Sequence, residues 1–204
     1  MAELSGRRER KKLTTHQLLR SAALRLGAER CLADVTVEEI ADEADVSVRT
    51  FYDHFRSKED AMIGFDAYRV DRLRVALVER PLGESPLDAL HTVLRMMLEE
   101  SSFEWPLRMK VIAKNPALLP RMFTSFIVYE RAMIEAVAAR TGLDPDHDLY
   151  PAVVTAVAAG ALRASLTVWR ARGEREDLTE IFDTAFTRVA HGLVEPDPVR
   201  EREA

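Results

Sequence analysis

A short stretch, VTVEEIADEADVSVRTFYDHFRSKED at residues 35–60, places the strongest constraint on the fold of this chain. Its apolar residues recur at steps of three and four, and the turn signal DVS interrupts them in the middle. The stretch therefore predicts two helices of about two turns each. Helices this short are marginal in water, because nucleation is costly and few hydrogen bonds follow it. The rest of the fold must hold them.

Both helices carry start signals. Thr36 followed by Glu39 forms a capping box, and Ser47 precedes the second apolar group. We therefore expect helices over residues 36–44 and 47–54.

The same helical period continues through the rest of the chain. Glycine is scarce, at 8 of 204 residues, and no strand-like alternation is present. A capping box of Thr14 and Gln17 is expected to open the first helix. The other helices are expected at 57–78, 87–101, 104–114, 117–141, 147–172 and 177–194. The sequence therefore predicts an all-α fold with about nine helices.

Charge is unevenly distributed, although the formal net charge is −5. Residues 1–25 hold seven Lys or Arg against two Glu, a local charge of 7 − 2 = +5. This segment is either a basic arm for phosphate or a solvated tail, and charge alone does not choose.

Composition points to a soluble, cytoplasmic protein. Cys31 is the only cysteine, so no internal disulfide is possible and a reducing compartment is expected. The N-terminus has no apolar run typical of a secretory signal. The longest uncharged apolar run, residues 150–162, is too short to span a bilayer, so no membrane partner is expected.

The second short helix exposes unusual groups. Phe51 and Phe55 share its buried face. The face left outside carries Val48, Arg49, Thr50, Tyr52, Asp53 and His54. These groups can reach base edges and phosphates in a major groove, which favours a helix-turn-helix. The alternative is a helical hairpin in a bundle that happens to expose these side chains.

Helix N-termini at Thr36, Ser47 and Ser57 favour phosphate oxygens. Lys58 lies in the first turn of its helix, where the dipole slightly disfavours a cation, and an external anion would explain it.

The stretch resembles the signature of the TetR family of bacterial transcriptional regulators. The landmarks are Thr36, Ile40, Ala41, Ala44, Val46, Ser47, Thr50, Tyr52, His54, Phe55, Lys58 and Glu59. The resemblance covers about residues 10–65. It implies a homodimer with an N-terminal three-helix helix-turn-helix domain and a C-terminal helical domain for ligand binding and dimerisation. We expect these domains at 10–58 and 59–195, with flexible tails at 1–9 and 196–204.

The resemblance also assigns residues to a palindromic double-stranded DNA operator. Phosphate contacts are implied for Thr36, Ser47, Tyr52, His54 and Lys58. Base contacts are implied for Val37, Val48, Arg49 and Thr50, with Tyr52 sharing both roles. Lys11 and Lys12 correspond to the basic arm before the first helix.

Three positions depart from the family pattern. Asp45 stands where glycine is usual in the turn, but aspartate tolerates the same left-handed conformation. Cys31 replaces a glycine, and Leu32 replaces an aromatic residue. A lone cysteine without a neighbouring cation or thiol is expected to be inert packing rather than a redox switch.

Two helices near the C-terminus carry the candidate dimer surface. Small residues in one and an apolar stripe in the other could form half of a four-helix interface. These residues are Ala156, Gly160, Ala164, Val168, Phe182, Ala185, Phe186 and Val189. The alternative is packing within one subunit.

Methionine and aromatic residues between these regions are typical of an adjustable ligand pocket for an apolar effector. The candidates are Met97, Phe103, Trp105, Met109, Phe123, Phe126, Ile127, Tyr129 and Thr155, with Arg108 and Asn115 as further polar contacts. Ordinary core packing explains each residue equally well.

The sequence gives little support for an enzyme. The acids of DPDHD at residues 144–148 are expected to cap a helix rather than bind metal. The sequence lacks a phosphate loop and a nucleophile elbow, and no cofactor or metal is expected. The favoured function is a ligand-responsive operator-binding regulator, most simply a repressor. The alternative is a helical small-molecule-binding protein without an operator.

Overall fold

The computed structural model describes residues 2–63, 67–102 and 104–193, with side chains described for 12–63, 68–102 and 104–193. Ten helical segments follow one another: α1 (Ala2–Glu29), α2 (Val37–Glu43), α3 (Val48–His54), α4 (Lys58–Ile63), α5 (Ala67–Val78), α6 (Pro86–Glu99), α7 (Glu104–Lys114), α8 (Leu119–Thr141), α9 (Leu149–Ala171) and α10 (Leu178–Ala190). Short 3-10 turns occupy Leu32–Asp34 and Pro116–Leu118. The prediction of an all-α fold is confirmed.

The first helix differs from its prediction. It begins at Ala2 and runs through Thr14 without a break, so the predicted capping box of Thr14 and Gln17 is wrong. Residues 2–13 are mostly helix formers such as Arg, Lys, Glu and Leu, and no proline stops the helix. The segment 2–9, expected as a tail, is the first part of this helix.

The chain forms two compact units. One draws on residues 1–72 and 103–129, and the other on residues 73–102 and 130–204. The unit with the short helices is therefore larger than the predicted domain at 10–58, because it also takes in α7 and the start of α8.

The core of the first unit holds the short helices in place. Leu19, Leu24, Ile40, Phe51 and Met62 are fully buried in one cluster with Val111 of α7 and Leu118. Helix α1 packs on α2, α4 and α7. The burial of these large side chains stabilises two helices that would not form alone.

The core of the second unit joins α6, α9 and α10. Phe182 and Phe186 are buried in it, and the ring of His91 stacks on Phe186 with centroids 4.5 Å apart. The indole N–H of Trp169 donates to the carbonyl oxygen of Glu176 at 2.9 Å, which ties the end of α9 to the following loop.

Helix α9 has the length and composition of a membrane span, although core helices of soluble proteins pass the same test. The helix continues past Arg163, which ends the uncharged run of residues 150–162, so the length of that run alone does not exclude a membrane span. The helix packs on α6 and α10 and buries Thr155, Ala158 and Trp169. This packing accounts for part of its apolar character, because Leu149, Val153 and Val168 are exposed.

Candidate nucleic-acid interface

The two short helices begin at the predicted caps. The hydroxyl of Thr36 accepts from the backbone N–H of Glu39 at 3.2 Å, and the Glu39 carboxylate accepts from the N–H of Thr36 at 2.9 Å. The Ser47 hydroxyl accepts a hydrogen bond from the backbone N–H of Thr50 at 3.1 Å, and the hydroxyls of Ser47 and Thr50 are hydrogen-bonded at 2.8 Å. Both helix starts are therefore locked by local hydrogen bonds.

The turn between them requires a left-handed residue. Asp45 has φ of 53°, and the N–H of Val46 donates back to the carbonyl oxygen of Ala41 at 3.0 Å. The prediction that aspartate replaces glycine here without breaking the turn is confirmed. The chain can therefore reverse at once and begin α3.

Helix α3 presents one face inward and one outward. Phe51 is fully buried and Phe55 is 2% exposed, whereas Tyr52 is 57% exposed. Arg49 is exposed too, and Val48 and Thr50 are half-buried. Since Arg49 and Tyr52 are three residues apart on a helix, they lie on neighbouring parts of the outer surface. This surface, residues 48–50 and 52, is called the α3 outer face below.

Two residues named for phosphate contact have neighbours in the chain. His54 is half-buried, and its ring lies 5.7 Å from that of His16, centroid to centroid. Lys12 is exposed, with its ammonium 5.8 Å from the centroid of the Tyr68 ring. Lys11 lies in α1, and its side chain is outside the described residues.

Lys58 makes contacts that the sequence did not predict. Its ammonium donates to the carbonyl oxygens of Leu32 at 2.7 Å and of Val35 at 2.6 Å. An external anion is not needed to explain its position, because two of its three N–H bonds already hold the loop before α2. Lys58 thus makes structural contacts within the unit, and its phosphate contact stays a prediction.

Two of the four acidic residues of α2 pair with arginines of the first unit. Glu43 pairs with Arg25 at 2.9 Å, and Glu39 pairs with Arg30 at 2.8 Å. The hydrogen bond from Arg30, with the bond from Thr36, lowers the pKa of Glu39 to about 2. Both carboxylates are thus engaged by cations of the chain.

Cys31 and Asn115 also have surroundings that the sequence did not predict. Cys31 is exposed, so it does not pack in the core as expected. Asn115 accepts a hydrogen bond from the N–H of Leu32 at 3.0 Å and donates to the carbonyl oxygen of Val111 at 2.9 Å. Asn115 therefore links α7 to the loop after α1, and its predicted ligand contact stays a prediction.

The predicted pocket residues divide between the two units. In the first unit, Phe123 and Ile127 are 61% and 66% exposed, so they do not line a closed cavity. The half-buried members of that unit are Trp105, Met109, Phe126 and Tyr129. In the second unit Met97 is half-buried and Thr155 is fully buried. Phe103 lies outside the described residues.

The candidate dimer residues fall into two groups. Ala156, Ala164 and Val168 are exposed on α9, and Ala164, Val168 and Ala185 line an open groove of about 340 Å³ with α10. Gly160 and Val189 are half-buried. Phe182 and Phe186 are instead buried within their own unit, where they pack with His91. They are therefore removed from the candidate surface.

One buried ionic cluster was missed in the sequence. Arg20 of α1 donates from Nε to the Glu104 carboxylate at 3.0 Å, and Arg108 lies one turn after Glu104 on α7. The spacing of Glu104 and Arg108 by four residues is typical of a surface pair, so it gave no sign of burial. The partner on α1 lies 84 residues away in sequence.

The acids of residues 144–148 form a turn. The Asp144 carboxylate accepts from the N–H of Asp146 at 2.7 Å and of His147 at 3.1 Å, and Asp148 is the N-cap of α9 without a side-chain cap bond. In the described part of the chain, no group of three His, Cys, Asp or Glu residues is arranged to hold a metal ion.

Two family models match the chain. Residues 19–61 match the model described as bacterial regulatory proteins of the tetR family, and residues 84–194 match the model described as the MftR C-terminal domain. The first match contains both short helices, and the second begins just before α6.

Named proteins are similar over most of the chain. The HTH-type transcriptional regulator TcmR of Streptomyces glaucescens is 31% identical over 192 residues, or 89% of this chain and 85% of that protein. Among solved structures, the fatty acid degradation regulator FadR from Bacillus halodurans has a TM-score of 0.57 at 18% identity, covering 89% and 97% of the two chains. FadR of Thermus thermophilus, in complex with lauroyl-CoA, has a TM-score of 0.51 at 21% identity, covering 90% and 97%.

Proposed function

The chain belongs to the TetR family of bacterial transcriptional regulators, and on that premise we propose that it is a homodimeric repressor controlled by a small organic ligand. It would bind a palindromic operator through two copies of the α3 outer face. The function is regulatory rather than enzymatic, and the protein acts in the cytoplasm.

The observation that carries this proposal is the α3 outer face itself. Arg49 and Tyr52 are exposed on a helix that the buried rings of Phe51 and Phe55 fix in place. A rigid two-turn helix fits a major groove, and arginine is well suited to recognise guanine by two hydrogen bonds. Val37, Val48 and Thr50 would add base contacts beside it.

Phosphate contacts would surround this helix. Thr36 and Ser47 stand at helix N-termini, where backbone N–H groups favour an anion. Lys11, Lys12, Tyr52 and His54 complete the set that we propose. Such contacts hold the protein in register, and base contacts give specificity.

Control by a ligand requires that a change in the helical body reaches the DNA-binding helices. Two contacts within the first unit support such a link. Arg121 of α8 pairs with Asp60 of α4 at 3.0 Å, and Lys58 of α4 holds the loop before α2. We infer that a ligand which shifts α7 or α8 moves α4, and so changes the spacing of the two recognition helices.

The proposed ligand is an apolar or amphipathic organic molecule. The T. thermophilus protein that shares the fold was crystallised with lauroyl-CoA, so the fold can accommodate such a molecule. Trp105, Met109, Phe126 and Tyr129 are half-buried candidates for its contacts in this chain.

The proposed dimer surface lies on α9 and α10. Exposed Ala156, Ala164 and Val168, with Gly160 and the half-buried Ala185 and Val189, would allow helices of two copies to approach closely. Ala164→Arg is expected to convert the dimer to a monomer in light scattering, whereas Ala171→Arg, at the exposed end of α9, is the matched control. A dimeric Ala164→Arg protein would contradict this surface.

The function is tested by operator binding. Genomic fragments bound by the purified protein are selected first, and the best fragment is titrated by fluorescence anisotropy at several salt concentrations. The variant with Arg49→Ala and Tyr52→Ala is expected to lose at least about tenfold of its preference for the operator over random DNA. Arg175→Ala, an exposed arginine of the second unit, should bind as wild type. Full operator preference in the double variant would contradict the proposal.

A further inference from the structure

Helix α7 brings a strongly buried charged cluster into the first unit. Its Glu104 and Arg108 are 1% and 4% exposed, and Arg20 of α1, at 3% exposed, meets the same carboxylate. Buried arginines are normally fully paired, because an uncompensated buried charge is costly.

Among the described residues of this cluster, Glu104 carries the carboxylate, and Arg20 already engages it. Arg20 binds Glu104 from Nε at 3.0 Å and makes a second contact from Nη2, and the hydroxyl of Ser21 also bonds this carboxylate. Nη2 of Arg108 lies 3.6 Å from Oε2 of Glu104, an ion-pair contact beyond hydrogen-bond distance, and that oxygen accepts no hydrogen bond within the described chain. One negative charge thus faces two buried guanidinium groups.

The pKa of Arg108 is lowered by its burial. Burial first, and then the charge of Arg69, lowers the pKa of Arg108 to about 10. Glu104 opposes this shift but does not cancel it. A further negative charge beside Arg108 would offset the effect of Arg69.

Three buried N–H donors in this place lack an acceptor within the described chain. They are Nε and Nη2 of Arg108 and Nε1 of Trp105. The guanidinium carbon of Arg108 lies 4.6 Å from the centroid of the Trp105 ring, so the two side chains that carry these donors are direct neighbours. Leaving such donors unsatisfied destabilises a protein, and an oxyanion offers several acceptor lone pairs at once.

We propose that Arg108 and Trp105 bind the acidic group of a small organic effector, so that the ligand is an amphipathic anion rather than a neutral apolar molecule. A carboxylate or a phosphate monoester has the required chemistry, since either accepts from the guanidinium and the indole together. A water molecule could satisfy one or two of these donors but would not neutralise the charge.

The apolar part of the ligand has a place beside this group. Met109 and Leu107 are half-buried on the same helix, and Tyr129 is near enough to influence the pKa of Arg108. Glu104 joins α7 to α1 through its bond with Arg20. An anion bound to Arg108 would therefore lie next to the contact between these two helices. The role of the bound anion as an effector rests on the proposed function, whereas the binding of the anion to this site does not.

The test uses four ten-carbon probes that differ only in their head group: decanoate, decyl phosphate, decanol and decyltrimethylammonium. Thermal unfolding of the full-length protein is followed at millimolar probe below the micellar range. Decanoate or decyl phosphate is expected to raise the melting midpoint by several degrees, and the larger shift identifies the head group. Decanol and the cation should give a much smaller shift.

Arg108→Met removes the charge at similar length and is expected to abolish the anion shift, while Arg108→Lys keeps part of it. Arg175→Met is the matched control and should behave as wild type. Without ligand, Arg108→Met should melt no lower than wild type, because replacing an underpaired buried charge by an apolar group is often neutral or stabilising. If that variant does not fold, Trp105→Phe carries the test, with an expected loss of about fivefold in anion affinity.

Three results would overturn the site. They are no shift of the melting midpoint with either anion, an equal shift with decanol, or the full anion shift in Arg108→Met. Where Arg108→Met is unfolded, the full anion shift in Trp105→Phe takes the place of the third result. Operator binding is measured separately, with and without the anion that gives the larger shift. A change of at least threefold in operator affinity is expected. If the protein binds the anion but no operator, the proposed function is refuted and this site stands. If it binds an operator but not the anion, this site is refuted and the proposed function stands.

Discussion

The ammonium nitrogen of Lys58 lies 2.6 Å from the carbonyl oxygen of Val35, so the first turn of α4 is fastened to the residue that precedes the cap of α2. A second bond joins the same ammonium to Leu32 at 2.7 Å. The helix that follows α3 is therefore linked directly to the loop that precedes α2. This relationship makes Lys58 a structural element of the DNA-binding unit.

Lys58→Met is expected to lower the free energy of unfolding by about 1–3 kcal/mol, because two hydrogen bonds to a charged group are lost. Chemical denaturation measures this effect, with the exposed Lys110→Met as control. Operator affinity should fall. In a plot of the logarithm of operator affinity against the logarithm of salt concentration, the slope should not change. A slope reduced by about 0.9 per site would instead indicate a phosphate contact.

Asp45 tests the turn. Its φ of 53° is open to glycine and tolerated by aspartate, but it is unfavourable for a β-branched residue. Asp45→Val is expected to cost about 1–2 kcal/mol of stability, whereas Asp45→Gly should stay within about 1 kcal/mol of wild type. Equal stability of the two variants in urea denaturation would contradict this account of the turn.

Gly27 tests the close packing of α1. A Cβ atom there would lie 2.9 Å from Sδ of Met62 and 3.2 Å from Cγ2 of Val111. Gly27→Ala is expected to lower stability by about 1–2 kcal/mol, because overpacking exceeds the gain in helix propensity.

The matched control for this change is Gly83→Ala. A Cβ atom at Gly83 would meet nothing within 4 Å, so its stability should change by less than about 0.5 kcal/mol. A Gly27→Ala protein more stable than wild type in the same denaturation experiment would show that the Met62 side chain moves aside at no cost.

Glu39 predicts a pH dependence. The bond from Arg30 lowers the pKa of Glu39 from its ordinary 4.5 to about 2 in the folded state. The unfolded chain therefore binds this proton at higher pH than the folded chain does. The contribution to stability is complete above pH 4.5 and is lost as the pH falls to about 2.

Glu39→Gln removes the charge but keeps a side chain that can complete the capping box. The variant should be less stable than wild type at pH 7, and the difference should shrink as the pH falls below 4.5. Thermal unfolding in a pH series measures this, with the exposed Glu38→Gln as control. A difference that does not depend on pH would contradict the role of the Arg30 pair.

Local signals account for what the sequence could predict. The caps at Thr36 and Ser47, the left-handed Asp45 and the bounds of α7 at Glu104 and Lys114 all follow from residues close together in the chain. Where a helix begins and how it turns depend on short-range hydrogen bonds and steric limits, and these are determined by residues that are close together in the sequence.

Long-range contacts explain what the sequence could not predict. The bonds of Lys58 to Leu32 and Val35 span 26 and 23 residues, and the Arg20–Glu104 bond spans 84. Phe186 belongs to a stripe that could face a partner or its own core, and only packing against His91 decides between them. Periodicity gives a buried face but does not name what covers it.

The course of the chain through its two compact units limits how this regulator can be divided. The chain leaves the first unit after residue 72, returns at 103 and leaves again after 129. Val111 and Leu118, from the returning segment, belong to the same apolar cluster as Ile40 and Phe51. A fragment cut after the short helices would lose part of the core that holds them. Exchanging the short helices between relatives is therefore expected to give a folded protein only when residues 103–129 are exchanged with them.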